Sequence, residues 1–202
     1  MPNGSSGQQR LYGGIDMKLI LASGSPRRRE LLGKLNIPFE VIVSECDETL
    51  PDGIPADAAA EMLAVRKAMA VAKLHPDAVV IGADTTVILD DEILGKPADE
   101  ADCKRMLHAL SGRMHKVITG VGIFWAGRSA SFSDETSVQF YPLSDAEIDG
   151  YAASEEPYDK AGAYGIQGQG ALLVAGIHGD YYNVMGLPVA RLARQLRDLG
   201  LL

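Results

Sequence analysis

A short apolar run, Lys18 to Ala22, leads directly into Ser23-Gly24-Ser25-Pro26-Arg27-Arg28. The run reads as a buried strand. Ser25 is a favoured N-cap and Pro26 a favoured first helical residue. A strand feeding a helix through so tight a turn commits the chain to layered α/β packing, and the later segments agree. Leu31, Leu32 and Leu35 put an apolar stripe on the first helix. Phe39 to Val43 reads as a second strand, and Ala56 to Leu74 as an Ala-rich helix. Ala78 to Ala83 reads as an apolar strand with Asp84 at its carboxyl end. Thr86 to Leu89 and Glu92 to Leu94 flank Asp90-Asp91 as a hairpin. Asp99 opens a helix to Leu110. Val117 to Trp125 and Ser129 to Tyr141 read as long strands around Ala126-Gly127-Arg128. Ser144 caps a helix to Ala153, with Glu147 in the capping-box position. Ala171 to Ile177 is a further strand and Pro188 to Leu199 a closing helix. Helices alternate with strands at both ends and strands pair in the middle, which predicts an α/β fold with a mixed sheet and flanking helices.

The chain has 202 residues, 47% hydrophobic and 23% charged, enough to bury a core. Residues 1–16 are rich in Gly, Ser and Gln and read as a disordered leader or extension. Residues 17–202 are then expected to form a single domain of two lobes around a cleft. No apolar stretch approaches the roughly 20 residues that a membrane span needs. The net charge of −8 argues against a broad nucleic-acid-binding surface. A polyanionic substrate stays open if cations gather locally or a divalent metal assists. Cys46 and Cys103 form no CxxC and fit free thiols in a cytoplasmic chain.

The first turn can hold a phosphate. A helix N-terminus offers unpaired N–H groups and partial positive charge. Ser23 and Ser25 add hydroxyls, Arg27 and Arg28 add forked donors, and Gly24 lets backbone approach a ligand. The same residues also suit a capped surface helix with solvated arginines. Asp84 can hold a divalent metal or orient a water, with small neighbours Gly82-Ala83 leaving room, or it can cap a turn. Asp47 and Glu48 form a second acidic pair after a strand. Lys67 interrupts the apolar pattern of its helix, and Lys96 lies on the constrained Leu94-Gly95-Lys96-Pro97 loop; both also suit plain surface lysines. No HExxH, GxSxG or Walker pattern is present, and His115 reads as structural. The segment from Glu156 to Gly168 is a Gly-rich polar loop in which Asp159 and Lys160 can pair with each other. A fixed Gln167 amide would match the O4 and N3–H of uracil or thymine.

Together these motifs resemble the Maf family of nucleotide pyrophosphatases over about Lys18 to Leu199. The marks are Ser23-Gly24-Ser25-Pro26-Arg27-Arg28, Gly82-Ala83-Asp84-Thr85, Gly95-Lys96-Pro97, Ser111-Gly112-Arg113 with His115, the 156–168 segment and Gly186-Leu187-Pro188. The resemblance implies an elongated α/β fold with a central cleft, related to that of inosine triphosphate pyrophosphatases. It implies hydrolysis of a nucleoside triphosphate to monophosphate and pyrophosphate with a divalent metal, Mg²⁺ or Mn²⁺. Arg27, Thr85 and Gln167 match the branch that prefers dTTP and UTP, where clearance of modified pyrimidine nucleotides is one role. The alternatives are the 7-methyl-GTP branch, which has Trp, Gln and Glu at these places, and a non-catalytic nucleotide-binding division regulator. By the same resemblance Asp84 is the catalytic acidic residue, in the family the proton acceptor, and Glu48 matches another functional position; the two carboxylates are expected to hold the metal. Lys67 and Lys96 stabilise the leaving pyrophosphate. Ser23, Ser25, Arg27, Arg28, Asp159 and Lys160 bind substrate, and Thr85 and Gln167 read the base. Aspartate is a feeble base near neutral pH, so Asp84 suits water orientation better than proton abstraction. One departure is Met62-Leu63-Ala64-Val65-Arg66-Lys67-Ala68, where relatives often read Arg-Leu-Ala-x-x-Lys-Ala. A homodimer is a family-level expectation.

Overall fold

The computed structural model describes residues 17–202; the leader expected over residues 1–16 lies outside the described residues. The chain runs β1 (Lys18–Leu21), α1 (Pro26–Gly33), β2 (Glu40–Val41), α2 (Ala56–Ala72), β3 (Ala78–Leu89), β4 (Glu92–Leu94) and α3 (Glu100–Leu110). It continues with β5 (Met114–Trp125), β6 (Arg128–Phe140), α4 (Asp145–Ala152), three short 3-10 turns between Glu156 and Leu173, β7 (Val174–His178), α5 (Tyr181–Met185) and α6 (Val189–Asp198). The strands form one seven-stranded sheet in the order β2-β1-β3-β5-β6-β7, with β4 also paired to β3. β1 is parallel to β2 and β3, and all other pairings are antiparallel. This is the expected mixed α/β sheet. Among the described residues no helix is long and apolar enough to cross a membrane.

Local chemistry explains the element ends. Ser25 Oγ accepts from the Arg28 N–H at the start of α1, Asp99 caps α3, and Ser144 with Glu147 completes a capping box on α4. Asp90 and Asp91 take φ of 51° and 64°, the left-handed pair that a two-residue hairpin turn requires.

Two sequence expectations about Asp84 need correction. β3 does not end at Ala83. It continues to Leu89, so Asp84 sits in mid-strand. The reason is β5, which pairs with β3 without a break from Val80↔Phe124 to Ile88↔Lys116. On its other side β3 has two successive partners. β1 covers Ala78 to Ile81, and β4 covers Val87 to Leu89. Gly82 to Thr86 have no strand neighbour on that side, which is why polar residues are tolerated there. The second correction concerns room. A Cβ on Gly82 would lie 2.5 Å from the Ala64 carbonyl oxygen and 2.6 Å from the Ala68 nitrogen, so the missing side chain makes space for α2 and not for a ligand. Other differences are smaller: β2 has two residues, α5 precedes the closing helix, and a 3-10 turn from Gln169 to Leu173 takes the start of the expected last strand.

α2 lies almost against the sheet backbone. Gly82, Gly120 and Gly122 share one sheet face, and any Cβ there would meet the main chain of Ala60 to Ala68. The facing helix positions are Ala60, Ala64 and Ala68, all fully buried. The opposite face carries a core of Leu21, Leu31, Ile81, Ile123, Leu187 and Leu192, which seats α1 and α6. A second core, from Leu107, Leu110, Phe140 and Ile148, seats α3 and α4 at the other end of the long strands. It holds His115, which is 2% exposed with Nε2 2.8 Å from the Tyr164 hydroxyl and with Nδ1 lacking a partner. Burial pushes the His115 imidazole down to about 4.

Two measurements check this packing. In urea unfolding, Gly120→Ala should cost about 3 kcal/mol or more, because the helix backbone has to move. Gly150→Ala, exposed in α4 with nothing near its new Cβ, should be neutral or gain up to about 1 kcal/mol. Equal effects would contradict the close contact. For His115, the unfolded imidazole binds protons that the folded one refuses. Stability should therefore fall as pH drops from about 6.5 toward 4, by about 3 kcal/mol in all. His115→Phe should flatten that slope, and an unchanged slope would place it elsewhere.

Candidate active site

The stretch of β3 without a strand neighbour opens into a cleft of about 440 Å³. Two elements converge on it. β1 runs up to Ile81 and hands over to the Ser25–Arg28 turn. β4 runs back along β3 to Val87 and hands over to Gly95-Lys96-Pro97. Ser25, Arg27, Arg28, Glu48, Lys67, Asp84, Thr85, Lys96, Asp159, Lys160 and Gln167 all line this cleft, as expected site residues from seven separate stretches of sequence. Ser23 does not line it. It is 7% exposed behind the wall, where its hydroxyl accepts from the Ser25 N–H and from Arg28 Nη1, each at 3.3 Å. Five cations (Arg27, Arg28, Lys67, Lys96, Lys160) face four acids (Glu48, Asp84, Glu156, Asp159), so the cleft is locally positive in a chain of net charge −8.

Lys67 holds the centre. Its Nζ lies 2.6 Å from Asp84 Oδ1 and 3.0 Å from Glu48 Oε2, with only 12% of the side chain exposed. The reach follows from the fold: Asp84 lies on the glycine-lined sheet face, and Lys67 follows Ala64 by one turn of the helix pressed against it. Arg66, the departure noted beside Lys67, donates through Nη1 to the carbonyls of Thr49 at 2.7 Å and Asp47 at 3.4 Å. It straps the loop that carries Glu48 to α2. Two carboxylates converging on one cationic point suit a Mg²⁺-like ion, which takes one or two carboxylates and completes its shell from substrate phosphates. Among the described residues no group of three or more His, Cys, Asp or Glu side chains is arranged for a metal.

Arg28 is fixed from three sides. Nε donates to the Gly186 carbonyl at 2.9 Å, Nη1 to Ser23, and Nη2 to Thr85 Oγ1 at 3.1 Å. Burial lowers its pKa from the ordinary value, the nearby Asp84 carboxylate offsets part of this, and arginine stays a cation. Proton accounting then orients the next links. Thr119 Oγ1 donates its single hydrogen to the Asn183 carbonyl at 2.9 Å. In the 2.8 Å Thr85–Thr119 contact, Thr85 must therefore be the donor. Its hydrogen points at Thr119 and its lone pair at Arg28, which places it beside the guanidinium in the cleft wall. Asn183 is completely buried and closes the network on the Thr119 N–H, the Val117 carbonyl and Thr136 Oγ1.

Around the rim, Arg27 Nη1 reaches Asp159 Oδ2 at 3.4 Å and Lys160 Nζ reaches Asp159 Oδ1 at 2.6 Å. Burial raises the Asp159 carboxyl, but Lys160 and Arg27 outweigh this and leave it below its ordinary value. Lys96 is exposed and has no ion-pair partner among the described residues. Gln167 is exposed on the Gly-rich loop. Sequence reasoning missed Thr119, Asn183 and the Gly186 carbonyl, which act through Arg28. It also passed over Glu156, whose only signal was its position at the head of that loop.

The chain matches the model of the family described as Maf-like protein over residues 18–199. It is 54% identical over 182 residues to a Bacillus cytotoxicus protein named dTTP/UTP pyrophosphatase, covering 90% of this chain and 95% of that one. A protein of the same name from Bacillus mycoides is 52% identical over 181 residues, with the same coverage. Among solved structures, a HAM1 protein from Coxiella burnetii shares the fold with TM-score 0.51 and 14% identity, covering 90% of this chain and 99% of that chain. By its sequence from residue 18 to 199, and by close relatives that match over nearly their whole length, this chain belongs to the Maf family.

Proposed function

We propose that this protein hydrolyses dTTP and UTP between the α and β phosphates, releasing dTMP or UMP and pyrophosphate. The observation that carries the reading is the cleft itself. It gathers five cations, the Lys67–Asp84–Glu48 cluster and a polar Gly-rich loop around one space of about 440 Å³. The names of the relatives supply the nucleotide.

In this reading the α1 N-terminus and Arg28 bind phosphate oxygens. Arg28 arrives with its fork already aimed by Ser23, Thr85 and Gly186, so little reorganisation accompanies binding. Thr85 contributes by holding Arg28. Lys96, free of an acidic partner, neutralises charge that builds on the departing pyrophosphate, and Lys67 does the same from α2. Asp84 orients the attacking water through its carboxylate, with Lys67 fixing one of its oxygens. Glu48 and Asp84 would hold a divalent ion, which when bound neutralises phosphate charge and acidifies a water. Gln167 faces the base edge, where an amide can donate to O4 and accept from N3–H.

Chromatography of the products tests the bond that is cut. Purified protein with dTTP should give dTMP and pyrophosphate in equal amounts without orthophosphate, and the release of dTDP with orthophosphate would contradict the reading. A chelator should abolish turnover and Mg²⁺ or Mn²⁺ should restore it; undiminished turnover under chelation would remove the metal.

A further inference from the structure

Glu156 stands apart from the other acids of the cleft. Among the described residues Glu48 and Asp84 pair with Lys67, and Asp159 pairs with Lys160 and Arg27, but the Glu156 carboxylate has no ion-pair partner. It is committed instead to the Gly-rich loop. Oε2 accepts from the Gln169 N–H at 2.8 Å, and Oε1 accepts from the Gly170 N–H at 3.1 Å and from the Tyr151 hydroxyl at 3.0 Å. The Tyr151 oxygen in turn accepts from the Gly165 N–H at 3.2 Å. The loop is thus pinned at Gly165 and at Gln169–Gly170 through one carboxylate and its phenol.

The glycines of the loop have the same explanation. None of Gly165, Gly168 and Gly170 has a φ in the left-handed region, so turn conformation does not require them. Space does. A Cβ on Gly168 would run into the Glu156 carboxylate, one on Gly170 would lie 2.5 Å from the Gly165 carbonyl oxygen and 2.7 Å from the Tyr151 hydroxyl, and one on Gly165 would lie 2.6 Å from Lys160 Cε. The loop is moulded around the Glu156 carboxylate, the Tyr151 hydroxyl and the Lys160 stem. Between the pins lie Ile166, Gln167 and Gly168, whose backbone N–H groups have no acceptor among the described residues. The Gln167 amide also has no protein partner there, so nothing but the backbone sets where it points.

We propose that Glu156 is a positioning residue for base selection: its carboxylate fixes the 165–170 loop, so that the Gln167 amide and the free backbone N–H groups meet a uracil or thymine edge and reject a cytosine edge. This rests on the proposed pyrimidine triphosphate substrate. Uracil and thymine present an acceptor at O4 beside a donor at N3, and cytosine presents the reverse, so discrimination needs donors that do not shift. A loop that lost its pins could adapt to either edge.

The test is kcat/KM for dTTP and CTP, with melting temperature, on wild type, Glu156→Gln, Glu156→Ala, Gly168→Ala and the Glu156→Ala/Gly168→Ala double variant. Glu156→Gln keeps the shape but turns a donor toward donors, and the preference for dTTP over CTP should shrink by about tenfold or more. Gly168→Ala should impair dTTP turnover by about tenfold in the wild-type background, and by much less once Glu156→Ala has removed the carboxylate it would strike. Loss of both substrates by one factor, tracking a fall in melting temperature, would reduce Glu156 to a structural role and overturn the inference. So would an equal Gly168→Ala penalty in both backgrounds. A wild-type enzyme without any preference for dTTP or UTP would overturn the proposed function, and this inference with it. A wild type with the preference, unchanged in Glu156→Gln, would overturn the role of Glu156 alone.

Discussion

The contact between the backbone of α2 and the glycine face of β3 and β5 sets the geometry of everything around it. Gly82, Gly120 and Gly122 let the helix approach until Ala60, Ala64 and Ala68 touch the sheet. Only at that separation does Lys67 meet Asp84 at 2.6 Å across the layer boundary. The burial of this pair is costly in itself, since two charges leave bulk water. The second carboxylate, Glu48, and the open edge of the cleft reduce that cost, and the result is a charge cluster held by packing more than by its own attraction.

The other determinant is a gap in the sheet. β1 and β4 cover the two ends of one side of β3 and leave Gly82 to Thr86 uncovered. Alternation along the strand then sends Asp84 to the α2 face and Thr85 to the α1 face. One exposed stretch of strand edge therefore joins two chemistries. On one face is the Lys67–Asp84–Glu48 cluster, and on the other the Arg28 fork backed by Thr85, Thr119 and Asn183. The one-way run of hydrogen bonds from Arg28 to Asn183 leaves no rotor free to turn. It ties the α1 end of the cleft to the segment ahead of α6, where the Gly186 carbonyl accepts from Arg28.

Features that depend on a few neighbouring residues were legible in the sequence. The caps at Ser25, Asp99 and Ser144 and the Asp90-Asp91 hairpin follow from local hydrogen bonding and backbone conformation. Most of the residues that line the cleft were legible as well, because motifs in a family order grouped Asp84, Lys67, Lys96 and Gln167 before any geometry was available. Features that depend on distant partners were not. Asp84 looked like the end of a strand because a carboxylate interrupts an apolar run, yet pairing with β5 carries the strand through it. Gly82 looked like room for a ligand, whereas the neighbour that needs the room is a helix more than ten residues earlier in the chain. Glu156 gave no sign of its role, because two of its three partners are backbone N–H groups, which a sequence does not distinguish.

The arrangement is tested most directly by the turnover of Asp84→Asn, a nearly isosteric change at the point where the sheet gap, α2 and the cleft meet. If the carboxylate orients the water, kcat for dTTP should fall by at least about a hundredfold while the protein stays folded through the same urea transition. A folded Asp84→Asn variant that turns over dTTP at close to the wild-type rate would contradict it.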